Sequence, residues 1–178
     1  AEDDPDETYV IQHVGGSADD PDGEIIKVVG FGRTQRFVGV KKIVTNAGDG
    51  DDLIVIQEGV TAPVSINGGA GNDTIVYDGS GISGQTSYIY GDSGNDTITL
   101  GDGFQALAFL YGGSGNDLIE GSPRADMIFG DSGNDQLIGG SGNDVISDSS
   151  GMNVIIGGFG IDTITGGTGS DLIAGDDA

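Results

Sequence analysis

From residue 47 onward, aliphatic side chains return at the centre of short β-branched triplets, such as Thr74-Ile75-Val76, Thr97-Ile98-Thr99 and Val154-Ile155-Ile156. Between the triplets lie stretches of Gly, Ser, Asn and Asp. A two-residue alternation puts the central side chain on one side of a strand and its neighbours on the other. The central positions are Ile54, Ile75, Ile98, Ile119, Ile128, Leu137, Ile146, Ile155, Ile164 and Ile173. Stacked strands would turn them into a narrow aliphatic ladder, the only core this pattern allows. The pattern predicts an all-β chain of short strands and Gly-rich turns. Further strands are predicted at Val64–Ile66, Tyr88–Tyr90 and Ala108–Tyr111, just ahead of three of the Gly-rich stretches. Upstream, Thr8–Val14, Glu24–Phe31 and Arg36–Thr45 read as strands rich in Val and Ile, with a turn over Gly15–Gly23.

The Gly-rich stretches and the triplets together form a nine-residue unit, Gly-Gly-x-Gly-x-Asp-x-aliphatic-x. From Gly112 it runs without a break, opening again at Gly121, Gly130, Gly139, Asp148, Gly157, Gly166 and a cut-off Gly175. Three earlier units open at Ala47, Gly68 and Gly91, spaced 21 and 23 residues apart. Gly at positions 1, 2 and 4 permits positive φ and close backbone approach. Carbonyl oxygens can then converge with the position-6 carboxylate, and hard oxygen donors in a flexible shell suit Ca2+ better than Mg2+. The candidate metal-binding positions are, unit by unit, Gly48, Gly50 and Asp52; Gly69, Gly71 and Asp73; Asp92, Gly94 and Asp96; and Gly113, Gly115 and Asp117. Downstream they are Asp131, Gly133 and Asp135; Gly140, Gly142 and Asp144; Gly158, Gly160 and Asp162; and Gly167, Gly169 and Asp171.

The repeat resembles the RTX (haemolysin-type) calcium-binding nonapeptide family over about residues 43–178. The resemblance implies a right-handed parallel β-roll, two units per coil, with Ca2+ between loops of successive coils on one side. It gives two ladders of loops. Ladder A opens at Ala47, Gly68, Gly91, Gly112, Gly130, Asp148 and Gly166, and ladder B at Gly121, Gly139, Gly157 and Gly175. The early coils would carry a motif only on side A and longer ordinary loops, such as 78–85 and 101–106, on side B. Two units depart from the pattern: Ser122, Pro123 and Arg124 replace the flexible turn at Gly121, with Arg124 a cation near the metal, and Asn153 replaces the position-6 Asp. Sites on those loops are expected to be compromised. Asp176 or Asp177 could complete a terminal site. About five to eight calcium ions are expected. The organisation implied is an acidic tail over 1–7, a β-rich cap over 8–45 that covers the first coil or forms a small separate unit, and a roll over 46–178.

Charge sharpens this picture. The chain has 29 acids against 6 Lys plus Arg, a net −23. Beyond Lys42 only Arg124 opposes 20 acids, so −19 sits in the repeat region. Such charge disfavours nucleic acid as a partner. The 36 Gly have no period of three and Pro numbers only 4, which excludes collagen; the absence of Cys excludes disulfides and thiolate sites. No apolar run suggests a membrane span. With no Met at its start and no signal peptide, the sequence reads as a mature product or an excised piece. DDPDGE around Gly23 resembles an EF-hand loop superficially, since Ala18 and Val29 stand where acids are required. His13, the only His, reads as structural, and the Asn72 and Asn95 sequons lie inside turns. Nearly every Asp has a place in the repeat, so no enzyme activity is expected.

The leading expectation is a calcium-binding structural module of a secreted bacterial protein, exported by a type I system and folded by extracellular calcium. The alternatives are an adhesion or polysaccharide-binding module and an appended domain of a larger secreted enzyme. For the binding alternative, the expected register puts Tyr88, Tyr90, Phe109, Tyr111 and Phe129 on neighbouring rungs of one face. Such a face suits sugar or protein contact, or weak self-association of an otherwise monomeric chain.

Overall fold

The computed structural model describes residues 6–17, 19, 23–30 and 32–176. Among them there are nineteen strands and no helix. Strands β1 (Thr8–Gly15), β2 (Glu24–Gly30) and β3 (Arg33–Val40) precede the roll. The roll is built from β4 (Ile43–Asp49), β5 (Leu53–Ile56), β6 (Val64–Ala70), β7 (Thr74–Tyr77), β8 (Thr86–Ser93), β9 (Thr97–Leu100) and β10 (Leu107–Ser114). It continues through β11 (Leu118–Glu120), β12 (Met127–Ser132), β13 (Gln136–Ser141), β14 (Val145–Ser147), β15 (Ser150–Gly151), β16 (Val154–Phe159), β17 (Thr163–Thr165), β18 (Thr168–Gly169) and β19 (Leu172–Asp176).

Two sheets face each other. One runs β19-β16-β13-β11-β9-β7-β5-β1-β2-β3 and the other β17-β14-β12-β10-β8-β6-β4. Within the roll every pairing is parallel, so the chain alternates between sheets as a parallel β-solenoid, a β-roll. The predicted aliphatic ladder is two facing columns. Ile54, Ile75, Ile98, Ile119, Leu137, Ile155 and Ile173 are in register in one sheet. Ile66, Ile89, Leu110, Ile128, Ile146 and Ile164 are in register in the other. Burial is complete along most of both columns and ends at the last coil, where Ile173 is 46% exposed. Each buried Ile contributes about 1.5–3 kcal/mol.

The early coils hold more core than the repeat alone supplies. Where side B lacks motif loops, Val60, Ala62, Tyr77, Leu100, Phe104 and Ala106 are buried. Tyr77 and Phe104 meet edge to face at 5.1 Å, and the Tyr77 hydroxyl donates to the Ala62 carbonyl at 3.1 Å.

The N-terminal strands extend the first sheet. β1 pairs parallel with β5, then β2 and β3 follow antiparallel, and Ile11 and Ile26 join the common core. The strand predicted over Arg36–Thr45 is two strands, broken at exposed Lys41-Lys42 and assigned to different sheets. Glu24 is fully buried and ties this segment down. It accepts from the amides of Thr61 (3.1 Å) and Ala62 (2.7 Å), from the Thr61 hydroxyl (3.1 Å), and lies 2.8 Å from His13 Nδ1. His13 is therefore a structural partner of Glu24.

Asp6 and Glu7, expected in the acidic tail, stand in register with the first motif loop. Asp6 accepts from the Asp51 amide (3.1 Å), and the Glu7 amide donates to Asp52 Oδ1 (2.6 Å). Residues 1–5 and the core of the DDPDGE stretch lie outside the described residues.

Candidate metal centre

The loops stack in the expected ladders. Gly48, Gly69, Asp92, Gly113 and Asp131 are successive partners on side A, and Ser132 leads on to Ser150 and Thr168. On side B, Gly140 pairs with Gly158 and then Asp176. Close stacking demands glycine. A methyl at Gly94, whose φ is 132°, would stand 1.7 Å from the Gly71 carbonyl oxygen of the preceding loop. At two position-2 sites the chain tolerates positive φ without glycine, at Asp92 (76°) and Asp131 (70°); Asp is among the residues that accept this conformation. Both side chains are exposed, so these two contribute backbone rather than carboxylate to the loop interior.

The position-6 side chains divide their two oxygens between two tasks. Oδ1 accepts the position-6 amide of the preceding coil. On side A, Asp52 donates to Asp73 (2.9 Å), Asp73 to Asp96 (2.8 Å), Asp96 to Asp117 (2.8 Å), Asp117 to Asp135 (2.8 Å), Asp135 to Asn153 (2.9 Å) and Asn153 to Asp171 (3.0 Å). On side B, Asp126 donates to Asp144 (2.8 Å) and Asp144 to Asp162 (2.9 Å). Oδ2 of Asp73, Asp96, Asp117 and Asp144 is buried with no hydrogen bond, and that of Asp135 is buried against the Asp148 carboxylate. Above Gly91, a methyl would stand 2.2 Å from Asp96 Oδ2 and 2.7 Å from the Gly112 carbonyl oxygen. The hollow is thus bounded by a carboxylate oxygen of one loop and a carbonyl oxygen of the next.

Buried anionic oxygens without donors are costly. Burial pushes the carboxyls of Asp96, Asp135 and Asp144 from 3.8 to about 7, and those of Asp73 and Asp117 upward. A hard cation coordinated by oxygen relieves that cost, and the donor set fits Ca2+. Among the described residues no group of three acidic or His side chains converges. Each loop brings one position-6 side chain, and the remaining donors would be carbonyls.

Two position-6 residues are less enclosed. Asp162 and Asp171 are half-buried in the last coils, where neighbouring rungs run out. Asp177 lies outside the described residues.

The two irregular loops behave differently. At Gly121 the retained carboxylate, Asp126, has one oxygen satisfied within the loop: Ser122 donates its amide (2.7 Å) and hydroxyl (2.8 Å) to Asp126 Oδ2, while Oδ1 is buried without a hydrogen bond. Arg124 does not face the metal loops. It is exposed and its guanidinium donates to Gln105 in the adjoining side-B loop. The sequence reading missed Ser122 as the group that quiets this carboxylate. It also missed Asp148, the one position-1 acid in the repeat.

A second ladder, at position 5, runs outside the first. Asn72, Asn95, Asn116 and Asn134 each accept the amide of the next coil through Oδ1 at 2.7–2.9 Å. This explains the Asn-Asp pairs of the repeat and gives both sequon asparagines a structural task.

The family model of the RTX calcium-binding nonapeptide repeat matches four stretches, residues 64–79, 86–104, 111–146 and 148–177. No curated protein and no solved structure matches the chain. The unit at Ala47 precedes the matched residues but shares their register. The match covers more than half of the 178 residues, and its loops stack as the repeat requires; the chain belongs to the RTX calcium-binding nonapeptide-repeat family.

Proposed function

We propose that this chain is a structural module whose fold depends on calcium, belonging to a secreted bacterial protein. The observation that carries the reading is the row of buried Oδ2 atoms on Asp73, Asp96, Asp117 and Asp135, one per coil, none of them met by a protein N–H or hydroxyl donor. Strand spacing sets successive carboxylates about 5 Å apart. At that distance like charges repel by several kcal/mol if water is excluded, so the metal-free ladder opposes folding. Bound calcium supplies the countercharge, and its binding free energy becomes folding free energy. Asp73, Asp96, Asp117, Asp135 and Asp144 would hold the ions, with position-1 carbonyls beside them. Cytosolic calcium is scarce and extracellular calcium abundant, so such a chain stays open until exported, in keeping with type I secretion. Its role is scaffolding rather than catalysis.

Circular dichroism during calcium titration tests this. Chelated protein should lack β signal, millimolar calcium should restore it cooperatively, and magnesium should do so poorly. A chain fully folded in chelator at low salt would overturn the reading.

One observation favours a second role, as a binding module. Tyr90, Tyr111 and Phe129 stack in one column, with centroids 4.8 Å apart and planes within 9°. Tyr88 stacks on Phe109 beside them at 5.1 Å. All five rings are half-buried on the outer face of the second sheet. Stacking occupies the ring faces and leaves edges and Tyr hydroxyls outward, a surface for a polysaccharide, a protein or a second copy. A Tyr90→Ser, Tyr111→Ser double variant should lose binding on a glycan panel or self-association in sedimentation. Lower stability with unchanged binding and self-association would reduce the column to a packing device.

A further inference from the structure

The loop that opens at Asp148 exchanges the chemistry of two positions. In ladder loops with a position-6 Asp, position 1 leaves little room for a side chain. A methyl on Gly68, Gly91, Gly112, Gly139 or Gly157 would stand 2.2–2.4 Å from Oδ2 of that loop's own Asp. Only Ala47 and Asp148 carry a Cβ at position 1, and only Asp148 is paired with an Asn at position 6.

Asn153 performs half of the usual task. Its Oδ1 accepts the Asp135 amide at 2.9 Å, keeping the ladder bond. Its Nδ2, where other loops carry the anionic oxygen, points to the Gly166 carbonyl at 3.5 Å. An amide nitrogen cannot ligate calcium. The missing carboxylate has not left the loop. Asp148 is 4% exposed; its carboxylate lies beside the Ser150 amide, the Asn153 side chain and the Asp135 carboxylate, and no well-aligned donor reaches either oxygen. Asp148 Oδ2 and Asp135 Oδ2 converge over Gly130, 2.2 and 2.6 Å from where a methyl there would stand.

We propose that Asp148 is a calcium ligand of the site between the loops opening at Gly130 and Asp148, shared with Asp135. It replaces the carboxylate that Asn153 lacks, moved from position 6 to position 1. The inference rests on the calcium reading above. It reverses the expectation that this loop is a weak one, and it explains the paired departures as one compensated change. It also sets this loop apart from the one at Gly121, where Ser122 occupies Oδ2 of Asp126.

The test is calcium binding by isothermal titration and equilibrium dialysis on the full chain, with thermal melts in excess calcium to check folding. Asp148→Asn, which preserves shape, should bind one ion fewer or bind one ion about tenfold more weakly. Asn153→Asp alone should bring no gain, because its new oxygen meets the Asp148 side chain. Asp148→Gly with Asn153→Asp restores the usual arrangement and should recover the lost ion, which separates ligand loss from simple misfolding. Unchanged stoichiometry and affinity in Asp148→Asn would overturn the inference; it would mean that Asp148 and Asp135 share a proton instead of an ion. An unmodified chain that takes up no calcium would overturn the calcium reading and this inference together.

Discussion

The amide of Asp96 donates to Oδ1 of Asp117 across 2.8 Å, while Oδ2 of the same carboxylate is buried without a donor. One side chain therefore fastens the preceding coil and offers an anionic oxygen to a cation. Asp117→Asn keeps the fastening oxygen, as native Asn153 does, and removes the anion. Asp117→Ala removes both and leaves a buried amide without its acceptor, a cost of about 1–3 kcal/mol. Calcium titration should show both variants impaired at the sites flanking this loop. Thermal melts in excess calcium should show the Ala variant clearly less stable than the Asn variant. Equal melts would mean that the two oxygens do not divide the work.

Acid should partly replace metal. The carboxyls of Asp96, Asp135 and Asp144 are raised by burial from 3.8 to about 7 in the fold. Between those values the folded chain binds more protons than the unfolded one, so stability rises as pH falls through that window and is lost as pH rises through about 7. Metal-free protein should show more β signal at about pH 5 than at pH 8. The calcium midpoint should move the other way, needing more calcium at pH 5, because protons compete for the same oxygens. A metal-free chain equally unfolded at both values would contradict the raised carboxyls.

Phe104 is fully buried against Tyr77 in a coil without a motif loop on that side. Phe104→Ala should cost about 3–5 kcal/mol. Tyr111→Ser, which breaks two partly exposed stacks, should cost less, near 0.5–1.5 kcal/mol per ring pair beyond area. Chemical denaturation in saturating calcium ranks the two. The reverse order would mean that the early coils do not rest on this apolar edge.

Glu24→Ala should loosen the N-terminal strands from the first coil. It removes the acceptor that the Thr61 and Ala62 amides share, at about 1–3 kcal/mol for the buried Ala62 donor. Hydrogen exchange at Thr61 and Ala62 should accelerate while exchange in β13 and β16 stays slow in calcium. Protection unchanged at Thr61 and Ala62 would show that Glu24 is not the fastening.

The nine-residue period, the alternation inside each triplet and the position-6 Asp were enough to predict the all-β class and an aliphatic ladder; the resemblance to the RTX family added the two ladders of loops and, with them, the register of the coils. These are local regularities repeated along the chain, and parallel in-register stacking copies each onto its neighbour, so one unit predicts the rest. The tertiary structure decided whatever depends on residues far apart in sequence. It split Arg36–Thr45 between two sheets at Lys41-Lys42 and set Asp6 and Glu7 beside the first motif loop. It buried Glu24 under Thr61 and turned Arg124 toward Gln105. It also separated two departures that look alike in sequence: Ser122 occupies Oδ2 of Asp126 within its own loop, whereas Asp148 reaches over Gly130 to Asp135. Sequence shows that Gly became Asp at 148 as Asp became Asn at 153. Only packing, which buries the Asp148 carboxylate against Asp135 over Gly130, shows that the two changes meet at one place.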